Sequence, residues 1–290
     1  MTGTRFEPEY ASPNERLMNY CLAEYEAVGQ SAGMLRSSNL LFQTFENNTD
    51  SVKQFHLVKL IRSAFGDSNS VWGVKWDGKE IRREYYFYDY RRRFRERSIS
   101  LFLEAISSMA DCSIPINENL HYFMFSIDID QRLFADSAKL NEIHMYMGNV
   151  LSRGGSGICY SLTESGKRLE NFYFFLDAHK EIESIILKIC SSAVVDVDRH
   201  NVGIILWPEL VNCRIICIAN KQQNDCIYFS GITVHQLLFF LKRFKYPPEI
   251  ITYIESNKAQ LDYMLYDVGF DFRMEEGELV IVKSGYYGIF

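Results

Sequence analysis

The sequence predicts an α+β fold in which α-helices surround a closed, ten-stranded antiparallel β-barrel. Two short strand-like runs flank a turn-rich stretch five times along the 290-residue chain. Amphipathic helical segments separate most of these pairs, and ten antiparallel strands suffice to close a wide barrel. The five predicted hairpins pair residues 71–76 with 83–90, 122–127 with 142–147, 158–162 with 169–175, 213–220 with 226–230, and 264–272 with 279–287.

Composition, turn residues and apolar spacing predict the domain organisation and the remaining elements of the chain. No linker of biased composition divides the chain, so we predict one domain over residues 1–290, with residues 1–13 as an irregular arm. Asp77-Gly78 is a strong signal for the first hairpin turn. The glycine-rich residues 153–157 leave little room for a helix between the second and third hairpins, and residues 202–207 resemble a further strand. The pattern of residues predicts helices over residues 15–28, 35–45, 52–65, 98–109, 179–190 and 234–244, and residues 250–257 with a following turn lead into the last hairpin.

Composition excludes some classes of function. A net charge of −6 argues against nucleic-acid binding by bulk electrostatics, and the basic residues 91–97 are expected to be solvated. No apolar run reaches the roughly 18 residues of a membrane span. Seven cysteines without a CxxC pair indicate free thiols in a reducing compartment. With no apolar leader in residues 1–13, we expect a soluble, cytoplasmic protein without nucleic-acid or membrane partners.

The predicted strands place polar side chains where they would line the barrel. Residues two apart on a strand share a face, so Asn171 and Tyr173 are expected to point inward, as are His144 and Tyr146. Convergent cations suit a diphosphate, and interleaved tyrosine rings suit a developing carbocation. Each of the five hairpins contributes one cationic or potentially cationic side chain: Arg83, His144, Lys167, Arg214 and Lys283.

Three segments make the chain resemble the ABBA aromatic prenyltransferases, whose fold is the PT barrel. Residues 167–174 (KRLENFYF) resemble the family strand in which an Asn and a Tyr line the pocket. Residues 207–217 resemble its aromatic–Pro segment and following Arg strand, and residues 283–287 (KSGYY) resemble its last strand. The second hairpin, from residues 126–128 through 136–139 to His144, is more similar to the cyanobactin, peptide-modifying branch, which is also compact and has little helix between these hairpins. His144 is a departure from the small-molecule branch, which has Lys there.

The resemblance implies a prenyltransferase. Such an enzyme would move a dimethylallyl or geranyl group from an allylic diphosphate to a peptide side chain or an aromatic small molecule. Arg83, His144, Lys167, Arg214 and Lys283 would hold the diphosphate. Tyr146, Trp207 and Tyr286 would shield the carbocation, and Tyr173 and Asn171 would be catalytic residues that line the pocket beside them. Glu84, or alternatively Glu170, would accept the proton.

The resemblance also bears on metals. Magnesium dependence varies across the family, so Mg²⁺ is a conceivable cofactor, although no motif requires it. There is no DDxxD cluster, and the DxD pairs Asp128 with Asp130 and Asp196 with Asp198 are expected to be strand-end or loop residues. We therefore predict no metal-binding residues.

Other functions stay open at this stage. A non-catalytic barrel that carries an aromatic or lipid compound would need an apolar lining. An interaction module whose hairpins stack as an open sheet would have no deep pocket. A nucleophile pair could combine Cys159 or Cys217 with His144 or His235.

Overall fold

The computed structural model describes residues 6–46, 49–67, 69–135, 138–149, 155–195 and 201–290. Within them, ten antiparallel strands form a closed barrel, which confirms the predicted fold class. Each strand pairs with the next one along the chain, and the last pairs with the first. The strands are β1 (Ser70–Trp76), β2 (Ile81–Tyr88), β3 (Met124–Ile129), β4 (Ile143–Asn149), β5 (Ser156–Thr163), β6 (Gly166–Asp177), β7 (Ile215–Lys221), β8 (Asp225–Ile232), β9 (Tyr266–Glu275) and β10 (Glu278–Ile289).

Helices surround the barrel in the described part of the chain. They lie before β1 and in the connections that follow β2, β6 and β8. The best-defined cap is at Thr233, whose hydroxyl accepts from the Gln236 backbone while the Gln236 side chain accepts from the Thr233 backbone. The helices are α1 (Ser38–Gln43), α2 (Ser51–Phe65), α3 (Ile99–Ile106), α4 (Ile182–Cys190), α5 (Val234–Arg243), α6 (Pro248–Ser256) and α7 (Lys258–Leu261).

The two ends of the barrel differ. The four tight turns and the longer connection between β3 and β4 all lie at one end, which we call the hairpin end. The connections that contain helices lie at the other, which we call the helix end. The glycine-rich joint predicted over residues 153–157 is described only from residue 155 onward.

Two predicted elements were wrong. Residues 15–28 form no helix, because Leu17–Met18 and Glu24–Tyr25 pair as two short strands. This N-terminal segment closes the helix end, where its polar groups bond to the barrel instead of to a helix. Tyr88 donates its hydroxyl to the Tyr20 carbonyl at 2.9 Å. Residues 202–207 are not a strand either, since Val202–Ile204 is a short 3₁₀ turn.

Tyrosine rings fill much of the barrel interior. The ring of Tyr20 stacks on that of Tyr287 with centroids 4.2 Å apart, and Tyr86 and Tyr228 lie beside it. Glycine makes room for these rings: a Cβ on Gly269 would lie 2.4 Å from Cδ1 of Tyr228. The interior toward the helix end is therefore packed rather than open.

Candidate functional site

A cavity of about 680 Å³ opens at the hairpin end. Its walls come from β1, β2, β10 and the connection between β3 and β4. Charged side chains dominate this lining, including Lys75, Asp128 and Lys283. The two spaces between the tyrosine rings hold only about 10 and 20 Å³. Compared with these spaces between the tyrosine rings, the hairpin end is therefore where the described barrel offers room for a small molecule.

Three lysines from three strands meet at this end of the barrel. Lys221 donates to both carboxylate oxygens of Asp271, at 2.9 and 2.8 Å. The ammonium of Lys283 lies 3.7 Å from the same carboxylate, which is too far for a hydrogen bond. The third lysine, Lys75, forms an ion pair with the buried Glu84 and lies 3.2 Å from Asp128.

Glu84 lies at the centre of a buried polar network. Its carboxylate accepts hydrogen bonds from the hydroxyls of Tyr86 and Ser126, both at 2.6 Å. The Ser126 hydroxyl also lies 3.1 Å from the hydroxyl of Tyr146. Burial alone would raise the pKa of Glu84, but Lys75, the nearby His144 and these hydrogen bonds lower it to about 2. Glu84 is therefore held as a carboxylate, which makes it a weak proton acceptor.

The other charges divide into paired and free groups. Burial would raise the pKa of Asp271, but Lys221 and Lys283 lower it to about 2. The pKa of Lys283 itself is lowered, first by the positive charge of Lys75 and then by burial. Lys221 keeps a raised pKa because Asp271 outweighs its burial. Lys283 is thus the lysine of this cluster whose charged form is disfavoured.

At the rim of the cavity, cations are paired with neighbouring acids. Arg82 donates to Glu80 at 3.2 Å, and Arg132 donates to Asp130 at 2.8 Å. Lys139 forms an ion pair with Glu164. Within the residues that the structure describes, Lys283 has no hydrogen-bond acceptor, so its ammonium is the free donor at this site.

Six of the predicted site residues lie on the inner face of the barrel: Glu84, His144, Tyr146, Asn171, Tyr173 and Lys283. Asn171 donates to the Tyr173 hydroxyl at 3.0 Å. The ring centroids of Tyr146 and Tyr173 are 5.9 Å apart. The Nε2 atom of His144 lies 3.9 Å from the Glu142 carboxylate.

Several of the others point away from the interior. Arg83 is buried outside the barrel, where Nε donates to the Thr44 hydroxyl at 2.8 Å. Tyr286 faces the helices, because its ring packs against Trp72 and Tyr246. Strand alternation is the reason in both cases, since Arg83 adjoins the inward Glu84 and Tyr286 adjoins the inward Tyr287.

Trp207 and Lys167 are also outside the barrel. Trp207 stacks on the outward ring of Phe270, with centroids 4.7 Å apart. Lys167 is exposed, and its ammonium lies 5.3 Å from the ring centroid of Tyr160. A register shift between Leu169 and Asn171 reverses the face of Lys167 relative to Asn171.

Arg214 lies at the helix end of the barrel, not at the hairpin end where the cavity opens. It directly precedes β7, and its guanidinium sits 5.1 Å from the ring centroid of Tyr25 in the N-terminal segment. Lys221 ends the same strand, so the length of β7, roughly 20 Å, separates Arg214 from the lysine cluster. The five predicted cations therefore do not converge on one diphosphate.

Three residues of this site, Lys75, Lys221 and Asp271, were not predicted from the sequence. Lys75 lies one residue before the end of β1 and Lys221 ends β7, where a charged residue resembles the start of a turn. The signal that could have found them is alternation: Lys75 shares a face with Gly73, and Lys221 with Ala219. Asp271 pairs directly with Lys283 in the ladder between β9 and β10.

Two other predictions concern thiols and metals. Burial raises the pKa of the Cys159 thiol, which is the opposite of an activated nucleophile. Among the described residues no three His, Cys, Asp or Glu side chains come together as a metal site. Asp196 and Asp198 lie outside the described residues, and a role for Mg²⁺ stays a prediction.

A pH dependence follows from three buried carboxyls. Glu84 and Asp271 have a lowered pKa, so their contribution to stability is lost as the pH falls from roughly 4 toward 2. Asp267 accepts backbone N–H groups of Tyr20 and Gly231, yet burial raises its pKa to about 6. Its contribution is present below roughly 4 and is lost as the pH rises through 6. We expect the free energy of unfolding, measured by urea titration, to be greatest between roughly pH 4 and 6.

The variant Asp267→Asn tests the decline in the free energy of unfolding that is expected above pH 4. Asp267→Asn is expected to be less stable than the wild type, because its amide faces a backbone N–H, but to lose the decline between pH 4 and 7. A wild-type stability that rises steadily from pH 4 to 7 would contradict the raised pKa of Asp267.

No known family profile matches the chain. The chain is 21% identical to a JmjC domain-containing protein of Acanthamoeba polyphaga mimivirus over 297 residues. This alignment covers 89% of the chain and 47% of the relative, so the chain spans about half the length of the relative it matches. Separately, the described helices are all too short or too polar to cross a membrane.

The comparison and the geometry together overturn the predicted prenyltransferase. The relative is a JmjC domain-containing protein, not a prenyl-transferring one by name. The Arg83 guanidinium is bound to Thr44, and Lys167 and Arg214 lie away from the cavity, so the diphosphate lacks three of its predicted ligands. The alternative of an apolar carrier lacks its lining, because the described cavity is charged and the tyrosine rings pack against one another.

Proposed function

We propose that the chain is an enzyme that acts on a small anionic substrate at the hairpin end of the barrel. The observation that carries the proposal is the position of Lys283, whose ammonium lines the cavity without a hydrogen-bond acceptor in the described residues. A carboxylate or phosphate oxygen there would complete its hydrogen bonds.

The surrounding charges support an anionic ligand rather than a cationic one. Glu84 and Asp271 are both buried, and each already accepts several hydrogen bonds or ion pairs. Their negative charge is therefore already compensated by Lys75 and Lys221. Lys283 adds a positive charge that no acceptor within hydrogen-bond distance compensates.

The chemistry of the site favours catalysis over simple binding. Titratable groups with a shifted pKa, gathered in a cleft, are typical of active sites. Here Lys283, which lines the cavity, has a lowered pKa. The buried carboxyls that pair with the lining lysines, Glu84 and Asp271, also have a lowered pKa. The distant similarity to a JmjC domain-containing protein also favours an enzyme over a carrier.

The proposal predicts that Lys283→Met weakens anion binding at least tenfold. A charge-assisted hydrogen bond contributes about 1.5–3 kcal/mol, and a factor of ten corresponds to about 1.4 kcal/mol. Binding of inorganic phosphate and of citrate would be measured by isothermal titration calorimetry. A panel of small carboxylates and phosphate esters, followed by mass spectrometry, would then identify a substrate that the wild type converts and the variant does not.

Lys79→Met is the matched control, because Lys79 is an exposed lysine in the adjacent β1–β2 turn. It removes the same charge from the same end of the barrel without touching the lysine cluster. Equal loss of phosphate binding in both variants would show a diffuse electrostatic effect and would refute the assigned site.

A further inference from the structure

We propose that Lys283 is a nucleophilic amine that forms an imine with a small oxo acid, a substrate that carries a carbonyl next to its anionic group. This inference rests on the proposed function, because it uses the same cavity. It goes further by assigning covalent chemistry to one lysine and by narrowing the substrate to carbonyl compounds.

The Lys283 amine has no hydrogen-bond acceptor among the described residues. Its carboxylate neighbour Asp271 is already bound by Lys221 through both oxygens. Asn224 donates a further hydrogen bond to Asp271 at 2.9 Å. The side chain of Lys283 is 39% exposed to the cavity, whereas that of Lys221 is 15% exposed. Lys283 can therefore reach a bound molecule without breaking a hydrogen bond.

The positive charge near the Lys283 amine disfavours its protonated form. A lysine becomes a nucleophile when a neighbouring cation or burial disfavours its protonated form. Lys75 supplies that cation, and it stays charged because Glu84 and Asp128 outweigh the cost of its burial. The pKa of Lys283 is lowered accordingly, first by Lys75.

The three lysines thus differ in their protonation because they have different partners. Lys75 and Lys221 are paired with carboxylates and have a raised pKa, so they remain ammonium groups. Both lie near Lys283, where they would attract the anionic group of the substrate. Only Lys283 combines access to the cavity, a lowered pKa and the lack of a hydrogen-bond acceptor in the described residues.

The chemical step is balanced without a further reactant. The neutral Lys283 amine attacks the carbonyl carbon, and a C–N bond forms as the C=O π electrons move to oxygen. Both hydrogens of the amine and the carbonyl oxygen depart as one water molecule. The product is an imine, and no oxidant or reductant is consumed.

Borohydride trapping tests the inference. The full chain would be incubated with pyruvate or glyoxylate and sodium cyanoborohydride, and the modified lysine located by peptide mass mapping. We expect one predominant adduct, on Lys283, labelled faster near neutral pH than the exposed Lys79, because a lowered pKa leaves more of the Lys283 amine neutral. Lys283→Arg, which keeps the positive charge, should abolish this adduct.

The outcomes separate the two proposals. Labelling spread evenly over exposed lysines, or persisting at the same level in Lys283→Arg, would overturn the imine. Phosphate binding that depends on Lys283, together with no trapped adduct from either oxo acid, would also overturn the imine but leave the anionic active site standing. Absence of both phosphate binding and adduct would refute both.

Discussion

Replacing Glu84 by glutamine is expected to lower the free energy of unfolding by about 3 kcal/mol. The carboxylate is buried, and it pairs with Lys75 while accepting from Tyr86 and Ser126. Glutamine has one acceptor oxygen instead of two and no charge, so Lys75 would be left largely uncompensated. Because Lys75 retains Asp128, the loss is expected at the lower end of the range for a broken buried ion pair.

A double-mutant cycle measures this coupling. Urea denaturation of Glu84→Gln, Lys75→Met and the double variant would give the three free energies. The double variant should lose less stability than the sum of the single ones, because neither charge is then buried alone. Asp128→Ala is the control: its carboxylate is 54% exposed, so about 1 kcal/mol or less is expected. Additive losses from Glu84 and Lys75 would contradict a direct interaction.

The barrel could be predicted because each hairpin carries its own local signals. Alternating strands, turn residues and intervening amphipathic helices are properties of short segments, so they survive without knowledge of tertiary contacts. The N-terminal segment could not be predicted in this way. Its residues 15–28 have helix-like apolar spacing, but the hydrogen bonds from Tyr20 and Tyr25 to the barrel favour a different local structure.

The site was predicted only in part because it depends on which face each strand turns inward. Alternation already forbids the side chains of Arg83 and Glu84 from pointing to the same side of the sheet, since they are adjacent on one strand. The same rule separates Tyr286 from Lys283. Alternation fails at Lys167, which has the same parity as Asn171 but lies beyond the register shift between Leu169 and Asn171. Such a shift leaves no distinctive residue pattern, so only the structure shows it.

The lysine cluster illustrates a second limit. Lys75, Lys221 and Lys283 belong to strands distant in sequence, and closure of the barrel brings them together. Their different roles depend on which carboxylate each one reaches. Asp271 accepts hydrogen bonds from Lys221 through both carboxylate oxygens, whereas the Lys283 ammonium lies 3.7 Å away. No sequence pattern encodes this difference of about 1 Å between the two lysine–carboxylate distances.

Substitution of Trp207 is expected to cause a second large loss of stability. Because Trp207 lies outside the barrel, this loss should leave ligand binding unchanged. Trp207→Ala should lower the free energy of unfolding by about 3–5 kcal/mol, because it leaves a cavity among buried rings. Trp207 is 4% exposed and stacks on both Phe270 and Phe244, while the Arg243 guanidinium lies 4.2 Å from its ring centroid. Urea denaturation monitored by circular dichroism would measure the loss.

The position of this ring outside the barrel decides what else should change. Phosphate affinity at the hairpin end, measured where Trp207→Ala remains folded, should match that of the wild type. Trp207→Phe keeps an aromatic ring against Phe244 and Phe270, so it should cost less stability than alanine. A variant that remained as stable as the wild type but lost phosphate binding would place Trp207 at the ligand. The structure argues against that, because Phe270 faces away from the interior, between the inward Gly269 and Asp271.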